Sequence, residues 1–224
     1  MLRAENLSRQ YFRKTGTANF FYAVKPLNLE LLPGQVTVLT GRSGSGKTTL
    51  LNMLSGLLPP SDGKVFLGET DLYQLDDRTL SRLRNEKIGV VPQGRSAVDT
   101  LTILENIVLP AKLYGRDYPV EAALEQMDCF GIRHLQEARP AELSGGELRR
   151  MAIVRALVQA PEILFADEPT GDLDDENTAL VFSRLRAFAH EQGKHVFIVT
   201  HETDAVQYAD AIYRMDLGTV SREK

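Results

Sequence analysis

Short apolar runs alternating with helix-spaced stretches give the chain its clearest pattern. Val36-Thr37-Val38-Leu39-Thr40 is β-branched, and a Gly/Ser-rich turn follows it before the helix-forming stretch Lys47 to Leu58. That order predicts strand, glycine loop and helix. Ile163-Leu164-Phe165-Ala166 and Val196-Phe197-Ile198-Val199 are unbroken apolar runs bounded by polar residues, as in strands buried on both faces. Between them, Leu180, Val181, Leu185, Phe188 and Ala189 recur at helical spacing across Asn177 to Gln192. Strand, helix and strand in succession predict a parallel α/β sheet.

Two stretches depart from this rhythm. From about Arg95 to Leu143 the strand-like runs vanish, and helical patterns are broken at Pro110, Gly115, Pro119, Gly131 and Pro140. This predicts a helical insert of about residues 93–143, flanked by core stretches 1–92 and 144–224. The first 35 residues hold short or alternating apolar stretches, and the turn Pro59-Pro60-Ser61-Asp62-Gly63 leads into Lys64-Val65-Phe66-Leu67. These predict an antiparallel β layer beside the main sheet.

Composition excludes several classes. With 43% hydrophobic and 25% charged residues among 224, the chain can bury a core without staples. One cysteine, Cys129, cannot form an internal disulfide, which makes a reducing compartment, the cytoplasm, the expectation. A formal charge of −4 is unlike the basic footprint of a nucleic-acid binder, so no such partner is expected. The longest apolar run, Phe20 to Val24, falls far short of the roughly 20 residues of a membrane-spanning helix. The start, Met1-Leu2-Arg3-Ala4-Glu5-Asn6, has no apolar signal-peptide core.

Candidate chemistry begins at Gly41-Arg42-Ser43-Gly44-Ser45-Gly46-Lys47-Thr48, continuing into Thr49, a phosphate-loop pattern placed between strand and helix. A polyphosphate needs backbone N–H groups converging at a helix N-terminus, and glycines permit the close approach. Lys47 would bridge the β- and γ-phosphates, and the Thr48 hydroxyl would ligate Mg²⁺. The chemistry also needs a carboxylate at a strand end, and Asp167 closes the run Ile163 to Ala166. Glu168 follows and can accept a proton from water attacking the γ-phosphate. His201 ends the next strand run at the same sheet edge, where a γ-phosphate contact competes with a capping or surface role.

A second helix entry follows at Leu143-Ser144-Gly145-Gly146-Glu147, ahead of Leu148, Met151, Ala152, Arg155 and Ala156 on one helix face. Alone it reads as an N-cap. Together with the complete phosphate loop and its acid, it resembles the signature of the ATP-binding-cassette family, with Glu147 where glutamine is frequent. The resemblance covers essentially the whole chain. It implies the family fold: a phosphate-loop core with a mainly parallel sheet, an N-terminal antiparallel layer and a helical insert.

The resemblance also implies roles at matching positions. Tyr11 matches the aromatic that stacks on adenine, with Phe12 as a rival. Gln93, in Val90-Val91-Pro92-Gln93, matches the glutamine that senses magnesium and joins core to insert. Asp174, in Asp172-Leu173-Asp174, matches the acid of a loop communicating across a dimer. Two cassettes are implied to stack head to tail, with Ser144, Gly145, Gly146 and Glu147 of one closing over the ATP and Mg²⁺ held by the other. A separate transmembrane permease is implied, which would hold the protein at the cytoplasmic face of the inner or plasma membrane. Gly94-Arg95 and Leu148-Arg149-Arg150 depart from the usual family sequence.

The stretches Leu72 to Gly89 and Leu101 to Pro110 look like the subgroup serving lipoprotein release, macrolide export and cell-division control. The implied function is therefore the ATP-hydrolysing subunit of an exporter or mechanotransmission complex. A non-transporting regulatory ATPase of the cell-division type is the alternative. A chromosome-maintenance ATPase would need coiled-coil arms or zinc modules, and the chain has neither heptads nor a cysteine cluster.

Overall fold

The computed structural model describes residues 1–12, 20–116 and 120–224. Strands β1 (Leu2–Phe12) and β2 (Phe20–Leu31) pair antiparallel. β3 (Gln35–Gly41) leads through the glycine loop into helix α1 (Lys47–Leu54), and β4 (Asp62–Leu67) and β5 (Thr70–Asp71) follow. Then come α2 (Asp77–Lys87), β6 (Ile88–Val91), α3 (Ile103–Leu113), α4 (Val120–Cys129) and α5 (Gly145–Leu157). The chain continues with β7 (Ile163–Asp167), α6 (Asp175–Gln192), β8 (His195–Thr200), β9 (Ala211–Asp216) and β10 (Thr219–Arg222).

Among the described residues these strands form two sheets. One is antiparallel in the order β2-β1-β4-β5, and the other runs β10-β9-β3-β8-β7-β6, parallel except where β10 turns back on β9. The mainly parallel sheet and the antiparallel N-terminal layer follow the sequence reading.

Period-two alternation explains the unbroken apolar runs. Leu164 and Ala166 of β7 and Val196 and Ile198 of β8 enter one core with α5 and α6. Phe165, Phe197 and Val199 point the other way, onto Leu50, Leu51 and Leu54 of α1 and Leu2, Leu7 and Val65 of the antiparallel sheet. The main sheet is covered on both sides, so its strands have no polar face to show. Ile103, Ile107, Ala123, Met127 and Phe130 extend the first core, packing α3 and α4 with Leu148 and Met151 of α5.

Boundaries shift where local chemistry decides them. The helix expected over Lys47 to Leu58 stops at Leu54, because Gly56 turns left-handed (φ 73°) and the N–H groups of Leu57 and Leu58 both return to the Asn52 carbonyl. Pro110, expected to break a helix, sits inside α3, whose end comes instead at Tyr114 and the left-handed Gly115. Pro119 lies outside the described residues. Helix α2 gives almost no apolar signal because Leu80 is its one buried residue; Asp76 caps it by accepting from the Thr79 N–H at 2.8 Å. Near the start of β9, Asp210 accepts from the Val36 N–H at 2.8 Å and pairs with His190 at 2.8 Å, while its own N–H donates to the Val36 carbonyl. This clamp sets the register of β9 beside β3.

Candidate active site

The carboxyl ends of β3, β7 and β8 converge on a cleft of about 830 Å³, lined by Tyr11, Arg42 to Thr49, Gln93, Asp167, Glu168 and His201. The sheet order places these strands side by side, so residues more than a hundred positions apart meet at one edge. Gly46 opens α1 in the left-handed region (φ 109°), and a Cβ there would stand 2.1 Å from the Ala23 carbonyl oxygen. Only glycine fits. No side chain caps α1 and no acidic residue occupies its first turn, which leaves its N-terminal N–H groups to an anion.

Lys47 is buried, and its Nζ donates to the carbonyls of Gly41 (2.8 Å) and Arg42 (3.3 Å), folding the loop around the ammonium. Thr48 Oγ1 donates to Asp167 Oδ2 at 2.7 Å, joining the first turn of α1 to the end of β7. Burial raises the Asp167 carboxyl above its ordinary pKa, partly opposed by the Thr48 hydrogen bond. The hydroxyl of Ser45 is buried with no hydrogen-bond partner. One carboxylate, two hydroxyls and the Gln93 amide make a hard-oxygen donor set that fits Mg²⁺ bound together with phosphate. Among the described residues no group of three or more His, Cys, Asp or Glu could hold a metal alone, so nucleotide oxygens and water would complete the shell.

Glu168 has a positive φ of 48°, uncommon for a residue with a side chain, and a strain of order 1–3 kcal/mol is typical of such positions. Its N–H donates to the Val199 carbonyl, and its carboxylate accepts from Thr200 Oγ1 at 2.8 Å and the His201 N–H at 3.3 Å. His201 Nδ1 lies 3.0 Å from the other oxygen. Hydrogen bonding to Glu168, then its charge, raises the pKa of His201. The carboxylate is thus held at the cleft by the end of β8.

Tyr11, and not Phe12, reaches the cleft. Tyr11 pairs with Phe21 across the hairpin, their rings 6.0 Å apart, and the Arg9 guanidinium lies 4.9 Å from the Tyr11 ring centroid. Phe12 alternates to the other side, against Phe20. Phe21, Tyr22, Ala23, Leu217 and Gly218 also line the cleft and escaped the sequence reading. For Phe21 and Tyr22 the available signal was an exposed apolar run facing Tyr11 in the hairpin.

The remaining site candidates lie elsewhere. Ser144 caps α5 in a capping box, its Oγ accepting from the Glu147 N–H (3.3 Å) and donating to the Glu147 carboxylate (2.7 Å). The hydrogen bond from the Ser144 hydroxyl first, and that from the Ser144 N–H to the same carboxylate oxygen (2.8 Å) second, lower the Glu147 pKa. A Cβ on Gly145 would meet the Asp172 side chain, and one on Gly146 the Leu173 side chain. Asp174 caps α6, accepting from Asn177, and so is committed to a structural bond in this chain. None of Ser144, Gly145, Gly146, Glu147 or Asp174 lines the phosphate-loop cleft.

Residues 24–171, which carry the phosphate loop, the acids and the second helix entry, match the ABC transporter family model. The chain belongs to the ABC transporter family. Among its curated relatives, the ABC transporter ATP-binding protein MJ0796 of Methanocaldococcus jannaschii is 35% identical over 100% of this chain and 97% of its own length. The lipoprotein-releasing system ATP-binding protein LolD of Shewanella oneidensis is also 35% identical, over 97% of this chain and 94% of its own. The phosphonates import ATP-binding protein PhnC 1 of a Ruegeria species is 38% identical over 98% of this chain and 87% of its own. In three dimensions the chain matches a dimeric, post-hydrolysis structure of MJ0796 bound to ADP and Pi with a TM-score of 0.91, at 32% identity, covering 100% of this chain and 99% of that one. This ABC cassette is an ATPase, and among the described residues no helix is long and apolar enough to cross a membrane.

Proposed function

We propose that this ABC ATPase works as a head-to-tail homodimer whose two composite sites power a separate membrane permease from the cytoplasmic face. The observation that carries this is the separation of two anion-binding helix entries: α1 opens on the cleft, while the Ser144 entry of α5 does not line it. A second copy brings Ser144, Gly145, Gly146 and Glu147 onto the γ-phosphate bound by the first, with Asp174 near the junction. The neighbouring MJ0796 structures are dimers, which supports this arrangement.

In this reading the loop from Gly41 to Thr49 cradles the phosphates, Lys47 neutralises the β- and γ-oxygens, and Tyr11 stacks on adenine. Thr48, Asp167 and Gln93 would hold Mg²⁺, whose charge would offset that of the phosphates. Glu168 takes a proton from the attacking water, and His201 meets the γ-phosphate. The helical arm of about residues 93–143 moves against the core of residues 1–92 and 144–224 and passes the motion to the permease. Ser144→Arg is expected to leave ATP affinity of the isolated chain unchanged while abolishing hydrolysis. Hydrolysis at the wild-type rate in that variant would show that one chain suffices.

The partner is proposed to be an exporter or a mechanotransmission permease, the likeness to LolD, an ATP-binding protein of a lipoprotein-releasing system, supporting that subgroup. A regulatory role that moves no substrate is the second reading, and only the partner separates the two. Purification from detergent-solubilised membranes is expected to bring down a permease with four spans and a large external domain. A six-span partner with a binding protein would overturn the subgroup and favour the importer likeness.

A further inference from the structure

Arg149 is a buried cation, 8% exposed, on the second turn of α5. Its Nη1 donates to the carbonyl of Pro92 at 2.8 Å. Pro92 directly precedes Gln93, which lines the ATP cleft. On its other side, Nη2 lies 3.8 Å from where a Cβ of Gly171 would stand, and the Gly171 N–H donates back to the Glu168 carbonyl at 3.2 Å. The same guanidinium therefore bonds the segment entering Gln93 and lies beside the turn leaving Glu168, while its backbone belongs to the helix that Ser144 caps. Its charge also favours the ionised form of Asp167, against the larger effect of burial.

Burying a guanidinium costs free energy that a carbonyl partner offsets only in part, and a neutral side chain of similar length would avoid that cost. A side chain retained for packing alone has no need of this charge. Gly94, Arg95 and Asp172 share the groove of about 340 Å³ that Arg149 lines, so the three segments adjoin each other as well as the cation.

We propose that Arg149 is a positioning residue for ATP hydrolysis, its guanidinium fixing the Pro92–Gln93 backbone and the turn after Glu168 to the helix entered at Ser144. It does not touch the nucleotide. Its effect is to keep the glutamine on the magnesium side, the acid beside the attacking water and the α5 entry in one relative placement. Misplacement of reacting groups by about 1 Å can cost on the order of 10²-fold in rate, so a bond setting three of them together has leverage on turnover.

Steady-state hydrolysis of Mg·ATP by the full chain, measured with the melting temperature of each variant, tests this. Arg149→Met is expected to lower kcat about tenfold or more while KM stays within about threefold, the split for lost positioning as opposed to lost ground-state binding. Arg149→Lys, which keeps a long cationic donor for the Pro92 carbonyl, is expected to recover most of that loss. A kcat within about twofold of wild type for Arg149→Met, a loss confined to KM, or a Lys variant no better than Met overturns the proposal. Should Arg149→Met not fold, Arg149→Gln replaces it in the comparison, being too short to span the same contacts. Equal kcat in the Gln and Lys variants then overturns the proposal.

Discussion

Replacing Glu168 by Gln is expected to lower ATP turnover by roughly 10²- to 10⁴-fold, the range over which a general base contributes. The change is nearly isosteric. Gln can still accept from Thr200 Oγ1 and the His201 N–H, so the left-handed turn at Glu168 keeps its supports. What disappears is the basic oxygen. Binding of Mg·ATP is therefore expected to persist and the ATP-bound dimer to accumulate, visible as a doubled mass in light scattering. Wild-type turnover in this variant would refute the assignment of Glu168.

The same substitution has a signature in pH. The carboxylate raises the pKa of His201 above that of free histidine, through its hydrogen bond first and its charge second. Any stability from this pair is fully present below the ordinary histidine pKa of about 6.5 and is lost as pH rises through the elevated folded value. With Gln at 168 both causes vanish, and His201 is expected to titrate lower, as followed by its ring-proton chemical shifts. An unchanged titration would mean that the contact of Glu168 with His201 does not persist in solution. The His201 side chain is 70% exposed, so solvent screening keeps the stability effect small even though the titration shift is measurable.

Lys47→Ala is expected to weaken ATP binding by roughly ten- to a hundredfold, since hydrogen bonds to charged groups are worth about 1.5–3 kcal/mol. The ammonium is buried against its own loop, where its hydrogen bonds go to the Gly41 and Arg42 carbonyls. Phosphate oxygens offer a better acceptor than either carbonyl, so the substitution removes more from the complex than from the free protein. Equilibrium titration with a fluorescent ATP analogue measures the loss. Affinity equal to wild type would count against the phosphate-loop assignment, since among the described residues no other lysine lines this cleft.

Much of this was legible in the chain because each motif stands on its own strand or helix end. A strand, a loop of small residues and Lys47-Thr48 at a helix start encode the cradle locally, with the positive φ of Gly46 demanded by the turn itself. Asp167 and Glu168 could be placed because an apolar run ends there. Three-dimensional proximity was not legible in the same way. That Thr48 reaches Asp167 across 119 residues, or that Asp210 clamps Val36, depends on the order β9-β3-β8-β7, which crossover connections set. Helix α2 gives no readable signal because it buries only Leu80, and the bounds of β2, within the expected β layer, do not show because Phe20, Phe21 and Tyr22 are exposed where a core pattern would bury them.

The choice between Tyr11 and Phe12 shows where one kind of information gives way to the other. Either ring could serve, since adjacent residues of a strand differ in sequence position by one and in direction by half a turn. Pairing of Tyr11 with Phe21 decided it, by setting which face of the hairpin looks into the cleft.

By itself, then, the sequence determined the cassette family, the mainly parallel sheet and the places of the phosphate-loop pattern and of the acids at a strand end, because those depend on residue type and short spacing. Only the tertiary structure decided which aromatic lines the cleft, that the Ser144 entry of α5 stands away from it, and that Arg149 bonds the carbonyl before Gln93. Those are consequences of strand order and packing, and for the aromatic also of register, where a shift of a single residue would turn the ring to the opposite face.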